Sequence, residues 1–302
     1  MITRIPVRGR WVRVRTSGDA SLPTLVLLHG ITRSLEDWDP TFEALGAGSG
    51  PSGPAQHRGE YRLIALDLAG YGWSAPHPDG AGLTALADGV AETLAALDVA
   101  GPVHVAGNSL GGAVTMTLLA RHPELVASMT LVDPAGFGKE VTPLLRLLGV
   151  PVLGKLIATT PSRPGAIIQE RLIFADKSYA TRARVDHAMA IARETDAGLT
   201  AWKTADELGS VLGGVRQDWR DELHRTIART PRPTMVLWGA RDKVLPPAHL
   251  EAARRLIPHA ETHLIPGVGH MPQLESPREF SALITAFLQR NPVAELPKAA
   301  SQ

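Results

Sequence analysis

The amino-acid sequence predicts an α/β fold built on a mostly parallel, doubly wound sheet, and two patterns in it carry this prediction. Short, continuous apolar runs such as residues 24–28 are typical of strands that are covered on both faces. Segments with the apolar spacing of helices alternate with these runs along the chain, as they do in parallel sheets with crossover helices. Between residues 137 and 229 the alternation stops and helical spacing continues alone. We therefore expect a helical cap inserted after the sixth strand.

The first strand that the pattern predicts is at residues 11–15, where apolar side chains alternate with Arg13 and Arg15. Such alternation is typical of a half-exposed strand. We interpret the two arginines as charges that protect an edge strand from unwanted pairing.

The next elements are two buried strands with a short helix between them. Continuous apolar runs predict the strands at 24–28 and 61–66, and the helix is expected at 37–45. Residues 46–60 are rich in glycine and proline. No Gly-Lys-Ser/Thr follows them, so a surface loop is predicted there rather than a phosphate cradle.

The rest of the chain follows the same alternation. Leu86, Val90 and Leu94 have helical spacing, which predicts a helix over 84–97. The further predicted strands are 104–106, 128–132, 234–238 and 261–265, and the further predicted helices are 110–121, 248–256 and 277–290. The predicted domains are a core of residues 1–136 and 230–292, a cap of residues 137–229 and a frayed tail at 293–302.

Composition excludes several classes of function. The 302 residues carry a formal net charge of +1 with both signs interspersed, so we expect no nucleic-acid partner. The absence of cysteine excludes disulfides, thiolate catalysis and cysteine metal sites. Neither a secretory signal nor a membrane-spanning apolar stretch is recognisable, so we expect a cytoplasmic protein without stable membrane insertion. The sequence leaves a homo-oligomer open.

A serine stands at a tight turn between a predicted strand and a predicted helix. The turn reads Gly107-Asn108-Ser109-Leu110-Gly111. The glycines allow neighbouring backbones to approach where a Cβ would clash. A serine on such a turn is exposed at the carboxyl end of the sheet, in front of a helix N-terminus. Ser109 is therefore a candidate nucleophile.

Other polar side chains follow the ends of the predicted strands. In parallel sheets the carboxyl ends of the strands meet at one edge, and ligands bind there. The residues at these positions are His29, Asp67, Ser109, Asp133, Asp242 and His270. This edge thus holds candidates for a nucleophile, a base and an acid.

Five motifs in order make the chain resemble the α/β-hydrolase fold family with a helical cap, over about residues 10 to 290. They are His29-Gly30, Asp67-x-x-Gly70-x-Gly72-x-Ser74, Gly107-Asn-Ser-Leu-Gly-Gly112, Trp238-Gly-Ala-Arg-Asp242 and Gly269-His270. The resemblance implies the chain order of nucleophilic serine, acid and histidine. It implies a serine hydrolase without metal or cofactor.

The resemblance also implies a role for each residue. Ser109 would be the nucleophile, His270 the base and Asp242 the acid that orients the imidazole. The backbone amides of Ile31 and Leu110 would form the oxyanion hole.

The acid has a rival in Asp133, because some relatives take this residue from the end of the preceding strand. The Gly-Ala-Arg-Asp context favours Asp242. Asp133 stands before Pro134 and is interpreted as a turn residue.

The expected reaction is hydrolysis of a small to medium, apolar carboxylic ester through an acyl-enzyme on Ser109. The alternative is hydrolysis of a carbon–carbon bond in a ring-fission dienoate of the meta-cleavage product type. Asn108 resembles that group, whereas Met271 stands after His270 where a tryptophan would be expected. A third possibility is a ligand receptor, or a non-hydrolytic lyase or cyclase that reuses the triad.

The leucine-rich start of the cap, residues 144–157, has two interpretations. It could line an acyl pocket or contact lipid. Its helical spacing, together with Arg146 and Lys155, is also typical of a helix that packs on the sheet. One helix can do both with different faces.

Overall fold

The computed structural model describes residues 1–46, 59–99, 101–210 and 214–293. Most of the loop predicted at 46–60 and of the tail predicted at 293–302 lies outside the described residues. The strands are β1 (Ile2–Val7), β2 (Arg10–Ser17), β3 (Thr24–Leu28), β4 (Arg62–Leu66), β5 (Val103–Asn108), β6 (Val126–Val132), β7 (Gly209–Ser210), β8 (Gly214–Val215), β9 (Thr234–Gly239) and β10 (Glu261–Ile265).

Helices fill most of the segments between these strands. They are α1 (Asp39–Leu45), α2 (Leu83–Ala96), α3 (Leu110–Arg121), α4 (Pro143–Leu148), α5 (Pro151–Thr159), α6 (Arg163–Ile173), α7 (Arg182–Ala192), α8 (Ala197–Leu208), α9 (Gln217–Arg229), α10 (His249–Leu256), α11 (Pro272–Glu275) and α12 (Pro277–Arg290). Short 3₁₀ helices occur at Leu35–Trp38, Pro123–Leu125 and Lys177–Tyr179.

Eight of the strands form one sheet in the order β1-β2-β4-β3-β5-β6-β9-β10. The pairs from β4 through β10 are parallel, whereas β1 with β2 and β2 with β4 are antiparallel. The predicted mostly parallel sheet is therefore confirmed. Since the carboxyl ends of the parallel strands lie at one edge, the candidate residues that follow them are brought to that edge.

The edge-strand interpretation of residues 11–15 is wrong. Strand β2 is paired on both sides, and the edge is the preceding strand β1, which the sequence pattern did not reveal. β1 is mostly exposed, so it lacks a buried apolar run and depends on pairing with β2. Arg13 instead pairs with Glu36 and Asp67, and Arg15 pairs with Asp39.

Apolar side chains on both faces of the sheet explain the double winding. Along β3, Val26 and Leu28 join a cluster with α2, α3 and α10, while Leu25 and Leu27 join a second cluster with α1 and α12. The alternation along a strand sends successive side chains to opposite faces, so a continuous apolar run needs helices on both sides.

The segment between β6 and β9 contains six helices, α4 to α9, and the two-residue pair of β7 and β8. The predicted cap, residues 137–229, spans these elements. Helix α9 also adds Leu223 and Ile227 to the core cluster that contains α3. None of the helices in the described part of the chain has both the length and the apolar character that crossing a membrane requires.

Strand β5 carries a buried histidine that makes stability depend on pH. His104 is 1% exposed, its Nδ1 lies 2.7 Å from Ser128 Oγ, and its Nε2 has no hydrogen-bond partner. Burial lowers the pKa of His104 to about 4. The folded protein therefore resists a proton that the unfolded chain accepts near pH 6.5.

We predict that His104 removes about 3 kcal/mol of stability as the pH falls from about 7 to about 4. The contribution is fully present above the unfolded pKa and is lost as the pH falls towards the folded pKa. Urea unfolding at several pH values should show that His104→Gln loses less stability with acid than the wild type. The exposed His259 provides the control, because His259→Gln should follow the wild type. The prediction would be contradicted if the free energy of unfolding fell equally with acid in His104→Gln and in the wild type.

Candidate active site

The turn between β5 and α3 holds Ser109 in a strained conformation. Its φ is 55° and its ψ is −114°, in a region that residues other than glycine rarely adopt. A Cβ on Gly107 would lie 2.2 Å from the Gly111 carbonyl oxygen, and one on Gly111 would lie 2.2 Å from the Leu28 carbonyl oxygen. Only glycine fits at either position, so the sequence pattern around the serine follows from this close backbone contact.

Asp242 and His270 are joined by a hydrogen bond. His270 Nδ1 lies 2.7 Å from Asp242 Oδ2, and both residues are buried. The other carboxylate oxygen of Asp242 accepts hydrogen bonds from the amides of Val244 at 2.7 Å and Leu245 at 3.1 Å. These bonds fix the carboxylate, which in turn orients the imidazole.

The backbone of His270 is held from two sides. Its amide donates to the Ile173 carbonyl of α6 at 2.7 Å. Its carbonyl accepts from Asn108 Nδ2 at 3.1 Å, and the same amide group donates to the Val132 carbonyl. Asn108 thus links β5 and β6 to the loop after β10 that carries His270. Sequence reasoning treated Asn108 as a mark of substrate class and missed this role.

Ser109 and His270 lie on the wall of one cavity of about 340 Å³. In the described part of the chain no hydrogen bond joins the serine hydroxyl to the imidazole. Such bonds are often loose before a substrate is bound and tighten during the reaction. The structure therefore brings the three residues predicted from the sequence to one place, with Asp242 and His270 in direct contact.

Asp133, the rival acid, lies beside this pair. It is fully buried with a φ of 42°, and its Oδ1 accepts from the Gly239 amide at 2.9 Å. Burial and the neighbouring Asp242 raise the pKa of Asp133 well above its usual range. The side chain connects β6 to β9 instead of forming a local turn as expected. No hydrogen bond joins it to His270 among the described residues.

Asp133, Asp242 and His270 present oxygen and nitrogen atoms within 4.8 Å of one another, a spacing that could suit a metal ion. Hydrogen bonds already engage most of these atoms. Both oxygens of Asp242 accept N–H donors, and Oδ1 of Asp133 accepts another. A cation bound there would compete with these donors. The arrangement fits an acid–base pair better than a metal centre.

The two residues whose amides are predicted to form the oxyanion hole lie near Ser109. Ile31 and Leu110 line a second cavity of about 80 Å³ together with the serine. Neither amide donates a hydrogen bond within residues 1–46, 59–99, 101–210 and 214–293. Free amides at this position are what an oxyanion hole requires.

The other strand-end residues support the backbone. Asp67 accepts hydrogen bonds from the amides of Leu35 at 2.8 Å and Trp73 at 2.9 Å. His29 Nε2 accepts from the Leu68 amide at 3.0 Å. His29 and Asp67 therefore fix the loops that surround the cavities rather than facing a substrate.

The walls of the larger cavity are mostly apolar. Most of its lining comes from helices α4 to α8, and residues 30–33 after β3 and residues 270–271 contribute to it. The apolar lining residues include Leu144, Leu145, Leu148, Ile157, Leu172 and Met189. A cavity of this kind suits an extended apolar group.

A cluster of four charges, three of them buried, connects the loop after β3 to helices α6 and α7. Arg33, two residues after Ile31, pairs with Asp37 and with Glu170 of α6. Arg184 of α7 pairs with the same two carboxylates, at 3.2 Å and 3.1 Å. Burial alone would raise the pKa of Asp37, but the nearby Arg33 charge outweighs it and holds this pKa below its usual range. No local pattern predicts this cluster, because Glu170 lies 137 residues from Arg33 and Arg184 lies 147 residues from Asp37.

A family model described as alpha/beta hydrolase family matches residues 25–283. A curated relative, the dihydrolipoyllysine-residue acetyltransferase component of the acetoin cleaving system of Pseudomonas putida, is 30% identical over 287 residues. That match covers 94% of this chain and 68% of the relative.

Two solved structures are similar in fold. A membrane phospholipase A, described as a bacterial virulence factor, has a TM-score of 0.75 at 26% identity, covering 97% of this chain and 87% of that one. A meta-cleavage product hydrolase has a TM-score of 0.76 at 23% identity, covering 95% of this chain and 98% of that one. The second likeness shows the fold alone.

We predict that Asp242→Asn lowers turnover about a thousandfold or more, whereas Asp133→Asn lowers it less than about tenfold. An amide at 242 cannot stabilise the imidazolium, but an amide at 133 can still accept the Gly239 hydrogen bond. Steady-state kinetics of the two purified variants tests this. A larger loss in Asp133→Asn would assign the acid to the end of β6.

We also predict that Glu170→Gln lowers the free energy of unfolding by about 3 kcal/mol, because it leaves the buried Arg33 and the partly exposed Arg184 with one carboxylate between them. Asp186→Asn is the matched control, since its ion pair with Arg163 is about half exposed. That variant should change stability by less than about 1 kcal/mol. If Glu170→Gln and Asp186→Asn lowered the free energy of unfolding equally in urea, the cluster would not be an important contributor to stability.

Proposed function

The chain belongs to the alpha/beta hydrolase family, and from this membership we propose that it is a serine hydrolase that cleaves a small to medium carboxylic ester. The observation that carries the proposal is the hydrogen bond between His270 and Asp242 at the wall of the same apolar cavity as Ser109. The reaction would proceed through an acyl-enzyme on the serine.

Each residue has one task in this reaction. His270 takes the proton of the Ser109 hydroxyl as it attacks the ester carbonyl, and then gives that proton to the leaving alcohol. Asp242 holds the imidazole in position and stabilises its cation. The amides of Ile31 and Leu110 bind the negative charge on the former carbonyl oxygen, and each such donor contributes about 3 kcal/mol. Water then attacks the acyl-enzyme with His270 again as the base.

The nature of the cavity walls supports an apolar substrate. The one arginine among the lining residues of the larger cavity, Arg33, is already paired with Asp37 and Glu170. An uncharged acyl chain can enter without separating this cluster. A free anion in the same cavity would find its charge unmatched.

Hydrolysis of a carbon–carbon bond in a ring-fission dienoate is the second candidate, and Arg146 is the observation that favours it. A dienoate carries a carboxylate, which needs a cationic partner when it is buried. Arg146 lines the smaller cavity beside Ser109, and its guanidinium forms no ion pair within the described residues. Asn108 does not add to this candidate, because its side chain is engaged with the Val132 and His270 carbonyls.

We predict that a fluorophosphonate probe labels Ser109 and that Ser109→Ala abolishes both labelling and turnover. With nitrophenyl esters of graded acyl length, kcat/KM should rise about fourfold per methylene until the cavity is filled. Failure to react with the probe and with every ester would overturn the proposal.

Loss of the visible absorbance of a dienoate on mixing separates the two candidates. If the protein hydrolyses the dienoate faster than any ester, and Arg146→Met abolishes this activity, carbon–carbon bond hydrolysis replaces ester hydrolysis as the proposed reaction. If the protein binds either compound but converts neither, it would instead be a ligand receptor.

A further inference from the structure

Exposed apolar side chains gather on three helices of the cap. Five of the eleven large apolar side chains that the described residues expose lie on α4, α5 and α6. We refer to these five, Leu147, Val152, Leu153, Leu156 and Ile168, as the cap patch. Val152 is 83% exposed, Leu156 57% and Ile168 59%. Clusters of exposed apolar side chains are uncommon on soluble surfaces and usually mark a binding face.

The cap patch flanks the mouth of the larger cavity. Thr160, Pro161, Ser162 and Gly165 are exposed and also line this cavity, so it reaches the surface between α5 and α6. Leu156 lies one helical turn before this mouth, and Ile168 lies one turn after it. The next residues of α5, Ile157 and Ala158, face the cavity itself. The same helix thus presents apolar side chains both outward and inward.

The segment of sequence that carries the cap patch has charges of one sign. From residue 142 to residue 169 the sequence contains Arg146, Lys155 and Arg163 and no aspartate or glutamate. Arg163 pairs with Asp186 of α7, while Lys155 lies over the ring of Trp202. Exposed apolar side chains with interspersed cations are typical of helices that lie in the interface of an anionic lipid layer.

We propose that the cap patch docks onto an anionic phospholipid surface and that the acyl ester enters the larger cavity directly from it. This inference rests on the proposed function, since it names the source of the ester. A lipid surface fits better than a second copy of the chain. Two copies joined through this face about a twofold axis would place the cations of α4 and α5 in one copy against those of the other, because residues 142–169 contain no acidic side chain. An acyl chain that enters from lipid would also pass from one apolar environment to another.

The test is sedimentation with vesicles, carried out in the Ser109→Ala background so that binding is measured without turnover. Vesicles of phosphatidylcholine with an equal part of phosphatidylglycerol are compared with vesicles of phosphatidylcholine alone. We expect binding to the anionic vesicles. Leu153→Ser with Leu156→Ser should weaken it about tenfold or more, because two apolar side chains leave the interface. Lys155→Gln should weaken it about fivefold.

Leu256 and Leu264 provide a matched control. They are 38% and 48% exposed, against 45% and 57% for Leu153 and Leu156, and they lie on α10 and β10. The control variant, Leu256→Ser with Leu264→Ser, should bind vesicles as tightly as the Ser109→Ala parent protein. Melting temperatures of all variants show whether each is folded.

Several results would overturn the inference. The first is that the parent protein does not bind the anionic vesicles. The second is that the cap variant, Leu153→Ser with Leu156→Ser, is folded and binds as tightly as the parent. The third is that the control variant loses as much vesicle binding as the cap variant. A parent dimer that becomes a monomer only in the cap variant would assign the face to a second copy. Because binding is read without catalysis, these results are independent of whether the ester hydrolysis is found. With Ser109 present, the cap variant should still cleave a short, soluble ester at the parent rate.

Discussion

The close contact of three backbones around Gly107 and Gly111 is the constraint on which the rest of this structure depends. Strands β3 and β5 and helix α3 approach until a single Cβ would overlap a carbonyl oxygen. This contact forces Ser109 into a conformation that costs about 1–3 kcal/mol. The surrounding sheet and helices must offset that strain, which explains why the turn is so deeply buried among apolar residues. The position of Ser109 at the cavity wall is a consequence of tight packing rather than of a flexible loop.

Local patterns predicted much of this molecule. The bounds of β3, β10, α3 and α12 agree with those expected, because each is set by apolar periodicity or by a neighbouring glycine or proline. Ser109, Asp242 and His270 were candidates because each follows a strand, and the resemblance to the α/β-hydrolase family selected them from the six strand-end residues. Long-range interactions were not predictable in this way. Glu170 lies 137 residues from Arg33, and β1 is a strand only because it pairs with β2. Neither relation leaves a local pattern.

The two neighbouring aspartates show how position decides chemistry. Asp242 accepts hydrogen bonds from three N–H donors, whereas Asp133 accepts one and is fully buried. Burial and then the nearby carboxylate of Asp242 raise the pKa of Asp133, so its neutral form is favoured. The fold thus gives two neighbouring aspartates at strand ends different tasks. Asp242 contacts His270, whereas Asp133 joins β6 to β9.

The bond between the His270 amide and the Ile173 carbonyl has a mechanical consequence. It attaches the C-terminal end of α6 to the loop that carries the imidazole. Glu275 reinforces this attachment by accepting from the amides of Ala175 and Gly269. A rigid displacement of α6 would therefore pull His270 away from Asp242. Any widening of the cavity that leaves the imidazole in place must occur away from this end of α6.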